Sequence, residues 1–298
     1  MIPYVRQIEF EYGRCDQVSP LIRRVVANNP GPFTFTGTGT YIVGQGQVAV
    51  IDPGPDDPVH LEAILAAVAG ESVSHILITH HHADHSPLAE PLKARTGAPI
   101  WGCAVAGQEA EDTGEVRVEA GHDLDFRPDV SLCGGGTVGG PGWTLEAIAT
   151  PGHTSNHICY ALGEENCLFS GDHIMGWSTT VITPPDGDMT DYMASLDLIR
   201  GRGFETLWPT HGPPIRDVDA FIGAYVEHRH GRAAQILKAL EAGPARIREL
   251  VPALYADVDP RLHPAAARSM QAAMIHLARQ GRIATDGEPG PESTYRLA

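Results

Sequence analysis

Six residues, His80-His81-His82-Ala83-Asp84-His85, follow the apolar segment Ile76-Leu77-Ile78-Thr79 without a break. This junction constrains the fold more than any other feature of the chain. The apolar segment is short enough to read as a buried strand, and the polar run then sits at its C-terminal end. In extended chain His80, His82 and Asp84 leave one side of the backbone, because side chains alternate, and His85 leaves the other unless the chain turns. Four imidazoles and a carboxylate so close together have the density of a metal centre, and their directions offer donors to two adjacent ions. A terminal affinity tag would lack the Asp and would lie at an end.

Strand ends of the same kind recur. Residues 38–43 and 48–51 read as a hairpin about a Gly-containing turn and end at Asp52-Pro53-Gly54. Residues 58–69 and 88–96 read as helices, with Pro91 expected to delay or kink the start of the second. Residues 99–103 form another short strand, and 107–142, with glycines clustered over 134–140, read as loop with short strands. The strand over 143–150 runs into His153, the pair 157–162 and 167–170 delivers Asp172, and after a helix over 189–200 the strand 206–208 delivers His211. Ligands gathered from strand ends at one sheet edge make a rigid site. Histidine and carboxylate suit Zn²⁺ foremost, with Fe or Mn as competitors. The seven groups His80, His82, Asp84, His85, His153, Asp172 and His211 exceed what one tetrahedral ion needs, and a carboxylate can join two. Two ions ~3.5–4 Å apart can hold a bridging hydroxide near neutral pH, which is hydrolase chemistry.

From residue 219 the pattern changes to helices over 221–242, 245–256 and 264–280 and a hairpin of 282–285 with 294–297, the winged-helix arrangement. The chain thus divides into a body, 1–218, and a winged-helix-like module, 219–298, a size that suits one medium domain and one small one. Net charge is −16: residues 226–298 hold 10 Lys and Arg against 8 Asp and Glu, which leaves 11 against 29 in the rest. A body that acidic repels phosphate backbones. Along 264–280 the only charges are Arg268 and Arg279, thin for a nucleic-acid reader, so the module is expected to pack or to form a homodimer. No stretch approaches the ~18 consecutive apolar residues of a membrane span. The N-terminus has no basic start followed by an apolar run, which points to the cytoplasm. Five cysteines without a Cys-x-x-Cys pair are expected to be reduced, mostly buried thiols with no disulfide.

His80-x-His82-x-Asp84-His85, with Asp52, His153, Asp172 and His211, resembles the signature of the metallo-β-lactamase superfamily. The resemblance implies an α/β fold, a four-layer αββα metallo-β-lactamase sandwich with a small C-terminal winged-helix domain. It implies that His80, His82 and His153 hold one Zn²⁺, that Asp84, His85 and His211 hold the other, and that Asp172 bridges. Asp52 would fix the ligand loop rather than bind metal, and Asp84 and Asp172 would serve the chemistry. Thr150-Pro151-Gly152-His153-Thr154-Ser155-Asn156-His157, the stretch from Gly171 to Thr180 and the winged helix resemble the β-lactamase-like-protein-two group, whose members include single-strand-specific endoribonucleases and polyketide thioesterases. Gly39 departs from that group, which commonly has Asn there, as does the glycine run over 134–140. The expected activity is hydrolysis of an ester, thioester or similar acyl bond of a small molecule. Single-strand-specific endoribonuclease activity on RNA is one alternative, and a mononuclear iron thiol dioxygenase is another. Among the remaining histidines, His81 is expected to face solvent or lie behind the ligands, and His157 and His173 to be buried and hydrogen-bonded. Met175, Trp177 and residues 178–180 are candidates for the cleft lining.

Overall fold

The structure, a computed structural model, describes residues 2–104, 121–256 and 258–298. The part of the 107–142 reading that falls on 105–120 lies outside the described residues. Strands β1 (Cys15–Gln17), β2 (Ile22–Val26), β3 (Gly39–Gln45) and β4 (Gln47–Ile51) build an antiparallel meander. Helix α1 (Pro58–Ala67) leads to β5 (Ser72–Leu77), which pairs parallel to β4. Helix α2 (Ala89–Thr96) then leads to β6 (Ile100–Gly102), parallel to β5, and β7 (Val130–Ser131) closes the sheet in chain order.

The second sheet begins with β8 (Gly136–Gly140), β9 (Trp143–Ala149), β10 (Ile158–Leu162) and β11 (Cys167–Gly171). Helix α3 (Met189–Arg200) brings β12 (Thr206–Pro209) back parallel to β11, which gives the order β12-β11-β10-β9-β8. Most of the glycine cluster over 134–140 falls in one of the short strands: main-chain pairing from Gly136↔Ala147 to Gly140↔Trp143 carries β8, whose glycines flank Thr137 and Val138. Gly140 has no room for a side chain, because an added Cβ would lie 2.7 Å from the Trp143 ring.

Alternation sorts both sheets onto two faces. Tyr41 and Val43 of β3 and Ile158, Tyr160 and Leu162 of β10 meet in a core between the sheets. Ile42 of β3 packs outward with Ile64 of α1 and Leu92 of α2. Cys159 and Ala161 of β10 pack outward with Tyr192, Leu196 and Ile199 of α3 and with Phe221 and Tyr225 of α4 (Val218–Leu240). Strands buried on both faces flanked by amphipathic helices make four layers, αββα. Helix caps follow the sequence: Asp57 accepts from Val59 N at α1, and Asp188 accepts from Thr190 N and Asp191 N at α3. Pro91 falls in the first turn of α2, where its missing N–H has no helical acceptor to lose, so it does not delay the helix.

The C-terminal module consists of β13 (Ala245–Arg246), α5 (Ile247–Leu254), α6 (His263–Arg279), β14 (Ile283–Thr285) and β15 (Thr294–Leu297), with β15 central in its sheet. Its core gathers Leu250, Val251, Met270, Met274, Leu277 and Tyr295 with Ile236 and Leu240 from the second half of α4. Helix α6, the third of the winged helix, is docked on the body. Arg279 pairs with Asp188, His276 Nδ1 lies 2.8 Å from Thr190 Oγ1, and Ser269 Oγ accepts from Ile182 N at 3.5 Å. Among the described residues no helix is long and apolar enough to cross a membrane.

A further expectation fails at the cysteines. Cys103 and Cys133 form a disulfide, while Cys15, Cys159 and Cys167 are free. Parallel pairing of β6 with β7 sets Gly102 against Ser131, so the chain just beyond each strand brings the two cysteines to a Cα separation of 4.7 Å. They are 30 residues apart in sequence, and no local spacing betrays the pair.

Candidate metal centre

All seven predicted ligand side chains converge at the edge where β5, β9, β11 and β12 end. His80, His82 and His153 form one group and Asp84, His85 and His211 another, each with donor atoms within 4.8 Å of one another. Asp172 lies between them, its Oδ2 3.9 Å from His153 Nε2 and 3.7 Å from His85 Nε2, its Oδ1 3.4 Å from His211 Nε2. All seven are buried.

Outer hydrogen bonds decide which nitrogen of each ring faces inward. His153 Nδ1 donates to Val181 O at 2.7 Å and His211 Nδ1 to Gly37 O at 3.2 Å; a carbonyl only accepts, so Nδ1 carries a proton in each ring and Nε2 is the nitrogen left to face the centre. Asp52 Oδ2 accepts from His85 Nδ1 at 2.9 Å, which leaves His85 Nε2 facing Asp84 and Asp172. The Thr79 hydroxyl donates to Asp52 Oδ2, so it can only accept from His80 Nδ1 at 3.0 Å. His80 Nε2 and His153 Nε2 then both point lone pairs at His82 Nδ1, from 2.9 and 3.2 Å. One proton on His82 Nδ1 could satisfy only one of them, whereas a cation satisfies all three nitrogens. In the other group Asp84 Oδ1 and His85 Nε2 are buried without hydrogen-bond partners, and His211 Nε2 lies 3.1 Å from Asp84 Oδ2. Imidazole nitrogens and carboxylate oxygens of this kind fit divalent cations, and such outer partners commonly fix metal-binding imidazoles.

Asp52 is the hub of the supporting shell. It takes a left-handed φ of 48° at the end of β4 and is fully buried. Besides His85 it accepts from Thr79 N and Thr79 Oγ1 at 2.8 Å each and from Thr210 Oγ1 at 3.0 Å, so it joins two ligand-bearing segments, the His80–His85 stretch and the end of β12. His157 does similar service: Nδ1 meets Thr150 Oγ1 at 2.8 Å and Nε2 accepts from Asp172 N at 3.2 Å, which positions the central carboxylate. Gly171 makes this approach feasible, since at φ 52° an added Cβ would lie 2.5 Å from His157 Nε2. Tyr160 Oη donates to Ile78 O and Tyr41 Oη to Pro209 O, bracing two ligand-bearing strand ends across the inter-sheet core.

The two groups differ electrically. Burial, and the nearby rings of His85, His82 and His153, push His80 well below its ordinary value. Burial would also lower His211 and His85, but Asp172 and Asp84 outweigh it, raising His211 to about 10 and His85 well above its usual range. For Asp84 burial acts upward, and His85 and His211 overcome it to hold the carboxyl at about 2.

Other predicted residues fall in several places. His81 is buried, not solvent-facing: Nδ1 bonds to Asn156 Oδ1 at 2.9 Å, and its ring stacks on His122 at 4.6 Å, with Asp186 close by. It turns inward because a loop bearing His122 covers that side of the strand end. His173 is buried as expected, but neither ring nitrogen meets a hydrogen-bond partner, and burial pushes it down to about 3. Gly39, where an Asn was expected by resemblance, donates to Thr210 O at 2.8 Å, and a Cβ there would come within 3.1 Å of that carbonyl.

A cavity of about 710 Å³ opens over His82, Asp84, His153 and Asp172. Met175, Trp177 and residues 178–180 line it as the sequence suggests, and Phe35 stacks on Trp177 at 5.0 Å. Sequence reasoning missed other parts of the wall, among them Tyr4, Phe33, Arg229, Arg232, Tyr255 and Leu262. These come from the N-terminal segment, the connection between β2 and β3, α4 and the winged helix, segments far apart in sequence that meet beside the metal-facing residues.

A sequence model described as the metallo-beta-lactamase superfamily matches residues 34–211, and one described as the beta-lactamase associated winged helix domain matches 247–291. The chain is 33% identical over 277 residues to a beta-lactamase-like protein 2 homolog of Caenorhabditis elegans, covering 90% of this chain and 88% of that one. It is 29% identical over 286 residues to an atrochrysone carboxyl ACP thioesterase of Aspergillus chevalieri, covering 92% and 86%. Among solved structures it resembles a beta-lactamase domain protein from Burkholderia ambifaria with a TM-score of 0.81 at 20% identity, covering 100% and 97%. At that identity the likeness speaks for the fold alone.

Proposed function

The chain belongs to the metallo-beta-lactamase superfamily of hydrolases, and from that premise we propose that it uses two Zn²⁺ ions to cleave an ester, thioester or similar acyl bond of a small molecule. The observation that carries the reading is the pairing of His80, His82 and His153 against Asp84, His85 and His211 with Asp172 between them. In this reading each triad would hold one ion, with Asp172 between them. Two divalent ions there would supply an activated water and a Lewis acid for the scissile carbonyl. Asp84, with one buried oxygen free of hydrogen bonds, takes the proton that the attacking water gives up. Asp52 and His157 keep His85 and Asp172 in position. The apolar and aromatic cavity wall excludes bulk water and seats the acyl chain.

Three features favour a small acyl substrate over RNA. The cavity is walled by the winged helix and is the size of a small-ligand site. Helix α6, which would face nucleic acid, is docked on the body instead. A relative over almost the whole chain is named as an acyl-carrier thioesterase. We also propose the division 1–218 and 219–298, with α4 as a rigid tie, since its two halves pack into different cores.

The test is metal quantification on the purified protein with a hydrolysis screen of thioesters, esters, lactams and single-stranded RNA. Two equivalents of zinc with chelator-sensitive thioesterase or esterase activity are expected. One equivalent of iron with thiol-dependent oxygen uptake would replace this reading with a dioxygenase, and turnover of RNA alone would replace it with a nuclease.

A further inference from the structure

Arg6, Arg229 and Arg232 line the same cavity as Asp84 and Asp172, with Tyr4 and Tyr255 beside them. The Arg6 guanidinium lies 5.5 Å from the centre of the Tyr4 ring and that of Arg232 lies 4.3 Å from the Tyr255 ring. Charges on Arg229, Arg6 and Arg232 all act on the Tyr4 hydroxyl, so the three groups cluster around one point of the wall. In a chain of net charge −16 this is an unexpected concentration. Several arginines elsewhere meet a carboxylate, as in Arg23–Glu71 at 2.7 Å and Arg200–Asp219 at 2.8 Å, although buried Arg24 meets none among the described residues. None of the three cavity arginines forms an ion pair with a described residue, although Glu227 lies on the same wall.

Arg229 is the most committed of the three. It is 9% exposed, its Nη2 donates to Thr180 O at 2.5 Å, and its face covers the Tyr192 ring at 5.1 Å. Its Nε is buried with no hydrogen-bond partner. A buried donor on a charged group bears its full desolvation cost until an acceptor arrives. Thr180 also donates to Asp172 O at 2.8 Å, so the arginine is tied to the segment that carries the central carboxylate. Guanidinium forks match the two oxygens of a carboxylate or phosphate.

We infer that the substrate carries, besides its scissile acyl bond, a second anionic oxygen group, a carboxylate or a phosphate, which Arg229, Arg232 and Arg6 receive in this cavity. The inference rests on the acyl-hydrolase reading for the scissile bond. The subsite selects substrates that span from the metal-facing residues to the arginine wall and rejects neutral acyl compounds of equal size.

Binding, not turnover, tests it, so the outcome does not depend on which bond is cleaved. The metal-loaded protein is titrated calorimetrically with α,ω-dicarboxylates against monocarboxylates of equal length, and with 4′-phosphopantetheine against pantetheine. One pair should show its more anionic member bound roughly tenfold tighter or more, falling below about threefold in Arg232→Gln and recovering in Arg232→Lys. The pair that discriminates assigns the anion to the acyl chain or to its carrier. Zinc content measured on each variant guards against misfolding. Equal binding within both pairs, or a preference that survives in an Arg6→Gln/Arg232→Gln double variant, overturns the inference. A single-stranded oligonucleotide that outcompetes both small anions with the same arginine dependence overturns it too, because the charges then serve a phosphate backbone. Arginine-dependent anion binding in a protein that hydrolyses no acyl compound would sink the hydrolase reading and leave the subsite standing.

Discussion

Asp52 receives hydrogen bonds from Thr79, Thr210 and His85 while fully buried, and through His85 it reaches the centre without facing it. Removing the carboxylate frees the His85 ring to turn and to change tautomer. Asp52→Ala is expected to weaken metal binding about 10- to 100-fold, measured by competition with a chromophoric chelator. Unchanged affinity would mean that packing alone orients His85. At the same scale, the Cys103–Cys133 bond makes a count. Thiol titration of the protein unfolded without reductant should find Cys15, Cys159 and Cys167 only, and all five cysteines after reduction. Five thiols in both samples would show that the bond does not form.

Among the elements, β11 shows how a strand end is shaped for a ligand. Gly171 closes it in left-handed backbone, and His157 from β10's leading edge occupies the space a side chain would need. Gly171→Ala is expected to cost about 1–3 kcal/mol of stability from strain at this φ. Because Asp172 follows directly, metal content should fall with it. A variant with normal melting temperature and full metal loading would show that the turn relaxes freely. Helix α6 works by docking instead: Ser269, His276 and Arg279 meet the α3 side of the body, and Ala265, Ala266 and Ser269 reach the cavity. The face that a winged helix would turn to nucleic acid is thereby spent on completing the cavity wall.

For the whole molecule, metal loading and protonation are one equilibrium. Without metal, Asp172 and Asp84 face both rings and favour their protonated forms, His211 up to about pH 10 and His85 well above its usual range. An ion entering that triad at pH 7 must displace those protons, so its binding releases up to two and strengthens as pH rises toward 10. The His80 triad works the other way: burial holds His80 neutral at pH 7, and its ion should release few protons. Calorimetry in buffers of different ionisation enthalpy separates the two events, and equal proton release at both sites would contradict this charge assignment. Chelation should also lower the melting temperature by roughly 5 °C or more, since an ion at 100 times its dissociation constant contributes about 2.7 kcal/mol to the folded state.

Local pattern determined much of this protein. An apolar strand that runs straight into His80–His85, and strand ends that deliver His153, Asp172 and His211, place the ligands because strand length and alternation are short-range properties. The four layers followed from the family resemblance that these residues carry, and the winged helix from the run of three helices and a hairpin at the C-terminus. Tertiary structure decided what depends on contacts between distant segments. Asp52's choice of His85, the inward turn of His81, the Cys103–Cys133 bond and the arginine wall of the cavity each join residues with no common local signal. At the His80–His85 stretch the division is clearest. Its residue types announce a metal centre, whereas the nitrogen each ring offers is set by partners such as Val181, Gly37 and Asp52, which only the folded chain brings within hydrogen-bond reach.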